Sequence, residues 1–172
     1  LVSNAGVQVK VRGDLLDTTP ESFDRLLGIN LRGTFFLTQA AARRMVKETR
    51  GADDPHRSIV TVSSVAALVA QPSNWAYGGA KGAILSLSRQ LARDLAPEVR
   101  VNVIAPGRIR TPMTDSVFTW RGDGDYERGV ALAGEATMLG RIGEPDEIAS
   151  VSCFLLSDDA SFVTGTLIVA DG

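Results

Sequence analysis

Residues 58–97 restrict the fold more than any other stretch. Ser58-Ile59-Val60-Thr61-Val62-Ser63 is rich in β-branched residues and long enough for one buried strand. Beyond it, Ala80, Ala83, Ile84, Leu87, Leu91 and Leu95 recur at helical spacing up to Pro97. A second short strand follows in Val99-Arg100-Val101-Asn102-Val103-Ile104, stopped by Pro106-Gly107. A strand, a helix and another apolar strand in succession are the repeating unit of a parallel sheet.

The rest of the chain extends that unit in both directions. Leu1-Val2 reads as the tail of a strand running into the turn-forming Ser3-Asn4-Ala5-Gly6. Residues 7–17 read as a loop. Thr18-Thr19-Pro20-Glu21 is a helix start: either Thr19 is the N-cap ahead of Pro20, or Thr18 forms a capping box with Glu21. The stripe after it runs through Phe23, Leu26, Leu27, Asn30, Leu31, Thr34, Phe35, Thr38, Ala41, Ala42 and Met45. Residues 51–57 read as a polar loop. Gly143-Glu144-Pro145-Asp146-Glu147 opens a last helix, with a core face of Ile148, Val151, Phe154 and Leu155. Thr166-Leu167-Ile168-Val169 is a final strand. Residues 113–140 show no clear period, which predicts a functional lid or a disordered segment. The expected fold class is α/β, a parallel sheet with right-handed crossovers in one domain over residues 1–172.

Composition excludes several functions. With 44% hydrophobic and 22% charged residues, the chain is ordinary for a globular protein. A net charge of −2 gives no basic surface for nucleic acid. The one histidine, His56, lies in the loop-like Asp53-Asp54-Pro55-His56-Arg57, which excludes a histidine-based triad or a His-rich metal site. Cys153 has no second cysteine to pair with and sits in an apolar run, so it is expected to be a small buried hydrophobe. No apolar stretch approaches the length of a membrane span.

The chemistry-bearing residues cluster after the first strong strand. Ser64 stands at its exit, and Tyr77 and Lys81 fall four apart in the first turns of the helix, on one face. Ligands of open α/β sheets bind at the carboxyl ends of strands. A phenol titrates near pH ~10, and moving it about three units toward neutrality takes about 4 kcal/mol. A neighbouring ammonium works in that direction. Tyr77 would then be a general acid/base, with Ser64 holding the reacting oxygen against it. The bland alternative is a packed ring beside a solvated amine. Asn30, an amide on an apolar stripe, must be hydrogen-bonded if buried. It would either pin a helix kink near Gly33 or hold water in a site. Gly78, Gly79 and Gly82 cost helix propensity, which is tolerated where a backbone or ligand comes close.

Taken together, these segments resemble the classical branch of the short-chain dehydrogenase/reductase family over residues 1–172. Ser3-Asn4-Ala5-Gly6 resembles the family's Asn-Asn-Ala-Gly turn, with Ser in the first place. Asn30 falls on its active-site asparagine. Ser64 stands 13 residues before Tyr77, and Tyr77-Gly78-Gly79-Ala80-Lys81 matches its Tyr-x-x-x-Lys. Pro106-Gly107-Arg108-Ile109-Arg110-Thr111 resembles its Pro-Gly turn near the nicotinamide. Gly140-Arg141-Ile142-Gly143-Glu144-Pro145 and Ser161-Phe162-Val163-Thr164-Gly165 resemble its C-terminal signatures.

The resemblance implies hydride transfer between NAD or NADP and a carbonyl or alcohol substrate, on the C-terminal part of a doubly wound, Rossmann-type parallel sheet. It implies that Tyr77 exchanges the proton, that Lys81 lowers its pKa and binds the nicotinamide ribose, that Ser64 positions the carbonyl, and that Asn30 holds a relay water against Lys81. Asn4, Ala5, Gly6, Pro106, Gly107, Ile109 and Thr111 are the implied cofactor contacts, beside Tyr77 and Lys81; no metal is implied. A homodimer or homotetramer is implied through the Asn30 and Tyr77 helices, where Phe36, Leu37 and Leu85 lie beyond one apolar stripe. The family's Gly-rich phosphate turn has no counterpart in the sequence, and Val169-Ala170-Asp171-Gly172 carries an extra Ala against the family's Val-Asp-Gly-Gly. The chain is therefore expected to be the C-terminal two thirds of a cytoplasmic reductase, with two βαβ units upstream and little dinucleotide binding by itself. Val65, Ala66, Leu68, Val69, Trp75, Met113 and Phe118 are the expected substrate-pocket lining.

Two other readings stand beside this one. One is a non-catalytic fragment or subunit with the reductase fold, which loss of Ser64, Tyr77 or Lys81 would have favoured. The other is a transferase or nucleotide-binding protein on the same fold. The Ser-Tyr-Lys spacing argues against it.

Overall fold

The computed structural model describes residues 1–9, 15–48 and 57–172. The expected loop carrying His56 lies outside the described residues, as does part of the loop expected over 7–17. Four strands form one parallel sheet in chain order: β1 (Val2–Ser3), β2 (Ser58–Val62), β3 (Arg100–Pro106) and β4 (Leu167–Ala170). Val2 faces Val60, Ile59 faces Val101, and Val103 faces Leu167. β2 and β3 are central and buried on both faces, which is why they read as continuous apolar runs.

Helices cover both sides of the sheet. On one side, Ala42 of α2 (Thr34–Lys47) and Ala92 of α3 (Trp75–Asp94) pack with Ile59, Val99 and Val101. On the other, Leu155 of α6 (Pro145–Leu156) packs with Val60 and Ile104. Alternation along the strands sends Ile59 and Val60 to opposite layers. The buried Arg100 guanidinium donates to the carbonyls of Leu155, Ser157 and Val163, tying the end of α6 to the sheet.

Sequence and structure part company at several points. Thr19, not Thr18, caps α1 (Pro20–Leu27): its hydroxyl accepts from the Ser22 N–H, and Pro20 takes the first helical position. The stripe from Phe23 to Met45 is not one regular helix. A π-helical turn, Gly28–Gly33, separates α1 from α2 and contains Asn30.

Residues 113–140, expected to be a lid or disordered, hold two helices, α4 (Pro112–Arg121) and α5 (Tyr126–Glu135). Their apolar residues meet mainly one another, with Phe118 packed against Ala133 and Ile142. The helices cross where Gly129 meets the Phe118 carbonyl, and a Cβ there would sit 1.7 Å from that oxygen. A contact made through glycine leaves no apolar period to read. Phe118 is thus core to this helix pair and does not line the expected substrate pocket.

Cys153 is exposed, and so is Phe154, because α6 turns Leu155 to the sheet and leaves its neighbours outside. Among the described residues no helix is long and apolar enough to cross a membrane, and no cluster of three metal-ligating side chains forms.

Candidate active site

The carboxyl ends of β1, β2 and β3 open onto one cavity of about 730 Å³. Three strand-exit segments build its walls: Asn4, Ala5 and Gly6 after β1, Ser63 and Ser64 after β2, and Pro106, Gly107, Ile109 and Thr111 at the end of β3. Tyr77 and Lys81 reach it from the first turns of α3. Every expected catalytic and cofactor-binding residue faces this cavity except Asn30, which stands behind it.

Ser64 caps the short turn Val65–Ala67, and its Oγ accepts from the Ala66 N–H at 3.2 Å. The same hydroxyl is hydrogen-bonded to the Tyr77 phenol, so the two stand side by side at the cavity. The turn lies directly against α3. A Cβ on Gly78 would sit 2.8 Å from the Ala66 carbonyl oxygen, so a bare backbone at Gly78 lets the turn approach Tyr77. Gly79 and Gly82 have open space around them, so close approach explains only the first of the three helical glycines.

Lys81 is 5% exposed, and its Nζ donates to the Val62 carbonyl at 2.8 Å. The same Nζ stands 5.7 Å from the centre of the Tyr77 ring. Burial without a carboxylate partner pushes the Lys81 pKa down to about 8. The Tyr77 phenol is shifted the other way from expectation. Burial raises its pKa, and the Ser64 hydroxyl beside it only partly opposes this. The Lys81 ammonium lies over the ring face and donates its hydrogen bond to the Val62 carbonyl, and burial sets the direction of the phenol's shift.

Asn30 is fully buried, and its amide is hydrogen-bonded, as a buried amide must be. Its Oδ1 accepts from the Val7 N–H at 2.7 Å, and its Nδ2 donates to the Val7 carbonyl at 2.8 Å. The amide thus acts as a one-residue strand partner to the segment leaving β1, just past Gly6. Its own carbonyl accepts from the Thr34 hydroxyl at 2.8 Å, inside the π-helical turn. A Cβ on Gly6 would come within 3.2 Å of Asn30 Oδ1 and 3.5 Å of Lys81 Nζ, so glycine keeps this corner of the cavity open.

The expected substrate lining divides. Met113 faces the main cavity. Ala66, Leu68, Val69 and Trp75 instead line a second hollow of about 360 Å³ on the far side of the turn, together with Asn74. Sequence reasoning missed one whole wall of the main cavity, the face of α6 bearing Pro145, Ile148, Ala149, Ser152, Cys153 and Leu156. Their helical spacing was legible, but small and mixed side chains hid it behind the stronger Val151–Leu155 signal.

The comparisons with known proteins agree with one another. A family model described as enoyl-(acyl carrier protein) reductase matches residues 1–172. The chain is 36% identical over 173 residues to a 3-oxoacyl-(acyl-carrier-protein) reductase of Thermotoga maritima, covering 100% of the chain and 64% of that protein. It is 37% identical over 177 residues to an NADP-dependent (R)-specific alcohol dehydrogenase of Lentilactobacillus kefiri, again covering 100% of the chain and 64% of the relative. The crystal structure of a 3-oxoacyl-(acyl-carrier protein) reductase from Brucella melitensis in complex with NAD superposes with a TM-score of 0.83 at 37% identity, over 99% of this chain and 64% of that one. The chain thus spans just under two thirds of the length of the relatives it matches.

Proposed function

Because the chain belongs to the short-chain dehydrogenase/reductase family, we propose that the protein is an NAD(P)-dependent oxidoreductase that interconverts a carbonyl compound and its alcohol. The convergence of Ser64, Tyr77 and Lys81 on one cavity with Asn4, Ala5, Gly6 and Gly107 carries this reading. The nicotinamide, when bound, supplies or accepts the hydride. The residues present fit its half of the dinucleotide: the corner at Gly6 has no side chain, the amine of Lys81 borders it, and Pro106, Ile109 and Thr111 close the opposite wall.

In reduction, Tyr77 gives its phenolic proton to the substrate oxygen, and in oxidation it takes that proton back. Ser64 donates to the same oxygen and holds it within reach of the phenol. Lys81 bears on the Tyr77 ring and is assigned to the nicotinamide ribose. Asn30 acts through Val7, keeping the Asn4-Ala5-Gly6 turn in place.

Among the described residues lining the cavity, Lys81 is the one charged side chain, and Val2, Val62, Ile109 and Met113 contribute apolar surface. A neutral ketone or secondary alcohol suits that lining. Titration of a version with the length of the relatives with NADH and NADPH, followed by turnover of neutral ketones against 3-oxoacyl thioesters, tests the reading. Cofactor binding without turnover of either class would favour the non-catalytic alternative.

The outer faces of α2 and α3 are assigned to self-association. Phe36 is 49% and Leu37 46% exposed, and an apolar pair of that kind is more economically covered than solvated. Light scattering at micromolar concentration should give a dimer or tetramer; a monomer would count against the assignment.

A further inference from the structure

We propose that Ser63 is a positioning residue for Lys81, one half of a two-point clamp that sets the height of α3 against the exit of β2. Ser63 is buried, and its Oγ donates to the Lys81 carbonyl at 2.8 Å. Lys81 returns a bond to the preceding strand residue, its Nζ donating to the Val62 carbonyl at 2.8 Å. One lysine is therefore held at both its backbone and its side-chain end by two adjacent residues, the last of β2 and the one after it.

The clamp has a companion farther along the helix. Thr61 of β2 and Ser63 just past its end both turn to α3, where Lys81 and Ser88, seven apart, share a face. The hydroxyls of Thr61 and Ser88 lie 2.7 Å apart, and the Ser88 hydroxyl also donates to the Ile84 carbonyl. The neighbouring contacts in this layer, Ile59 and Val101 against Ala92, are apolar and would let a helix slide. Buried hydroxyls are costly unless bonded, and bonded ones fix a single register.

The position of the clamp gives it a functional consequence. Ser64 is the residue after Ser63, and Tyr77 lies one helical turn before Lys81. The bond thus joins the two segments that carry the proposed catalytic hydroxyls, immediately beside both. Ser63 stands in the cavity wall, but its hydroxyl is committed to the Lys81 carbonyl, so it acts through Lys81. The inference rests on the proposed reading of Ser64, Tyr77 and Lys81 as one site.

The test compares Ser63→Ala and Ser63→Cys with Ser63→Thr. Cys keeps the volume but is a weak donor, whereas Thr keeps the hydroxyl. The first readout is the pH dependence of amine acetylation with acetic anhydride, resolved by peptide mass spectrometry. Three lysines occur in the sequence, Lys10, Lys47 and Lys81, so the assignment is direct. The titratable group facing the Lys81 amine is Tyr77, and its hydrogen-bond acceptor, the Val62 carbonyl, is uncharged. The Lys81 midpoint should stand near 8 in the starting protein. It should move up toward its ordinary value in Ser63→Ala and Ser63→Cys, as the freed amine reaches water, and return in Ser63→Thr.

The second readout is turnover. For Ser63→Ala and Ser63→Cys kcat should fall about fivefold or more with KM little changed, and Ser63→Thr should restore it. An unmoved Lys81 midpoint in both Ala and Cys variants would overturn the proposal, whatever happens to stability. A moved midpoint in a version with the length of the relatives that binds dinucleotide but turns over no ketone would retain the clamp and overturn the oxidoreductase reading instead.

Discussion

In a version of the protein with the length of its relatives, Tyr77→Phe should lower kcat by at least about a hundredfold while leaving NADH or NADPH affinity nearly unchanged. General acid/base catalysis is typically worth about 10²–10⁴-fold, and the substitution removes the one atom assigned to it. The ring itself should stay where it is. Tyr77 packs with Leu26, Ala76 and Ala80, contacts that phenylalanine keeps. Burial already holds the phenol above its ordinary pKa of 10.0, so the hydroxyl is neutral and carries a proton to give throughout the working range. The reduction direction should therefore remain active at neutral pH, and its decline on the alkaline side should not begin with this phenol. Retention of more than about a hundredth of kcat in Tyr77→Phe would remove Tyr77 from the acid/base role.

Lys81→Met should affect two measurements that Tyr77→Phe separates, weakening dinucleotide binding as well as slowing turnover. Met preserves most of the stem in the wall of the cavity but loses the ammonium. The pH dependence gives an independent check, and its sign follows from the direction of the shift. The native pKa of about 8 lies below the ordinary 10.5, because the buried amine is desolvated. Below about pH 8 the native and unfolded chains both hold the proton. Between about 8 and 10.5 the unfolded chain alone holds it, so the lysine contributes stability that grows as pH rises through that window. Cofactor affinity should fall over the same window as the ammonium is lost. In Lys81→Met both trends should flatten. Isothermal titration and urea unfolding at pH 7 and 10 would measure them, and an unchanged dinucleotide Kd in Lys81→Met would remove the ribose contact from the assignment.

The sequence by itself determined the sheet and the order of its parts. β2 and β3 are buried on both faces, so their signal is an unbroken apolar run that any arrangement of the remaining chain must cover. The shared face of Tyr77 and Lys81 follows from helical geometry alone, and Ser64 follows from where the strand run ends. Tertiary structure decided what depends on a partner distant in sequence. Asn30 was visible as a polar residue on an apolar stripe, but its partner, the backbone of Val7, carries no side-chain signature. Ser63 looked like one more strand residue until the Lys81 carbonyl came to lie 2.8 Å from it. The helices α4 and α5 escaped periodicity because their closest contact is made by glycine against backbone, a surface without side chains to pattern. The direction of the Tyr77 shift was decided the same way: four residues of spacing bring an ammonium near, but only the packed fold says that it stands over the ring and that burial prevails. Local periodicity records which face of an element is covered. It holds no record of which carbonyl waits on the other side.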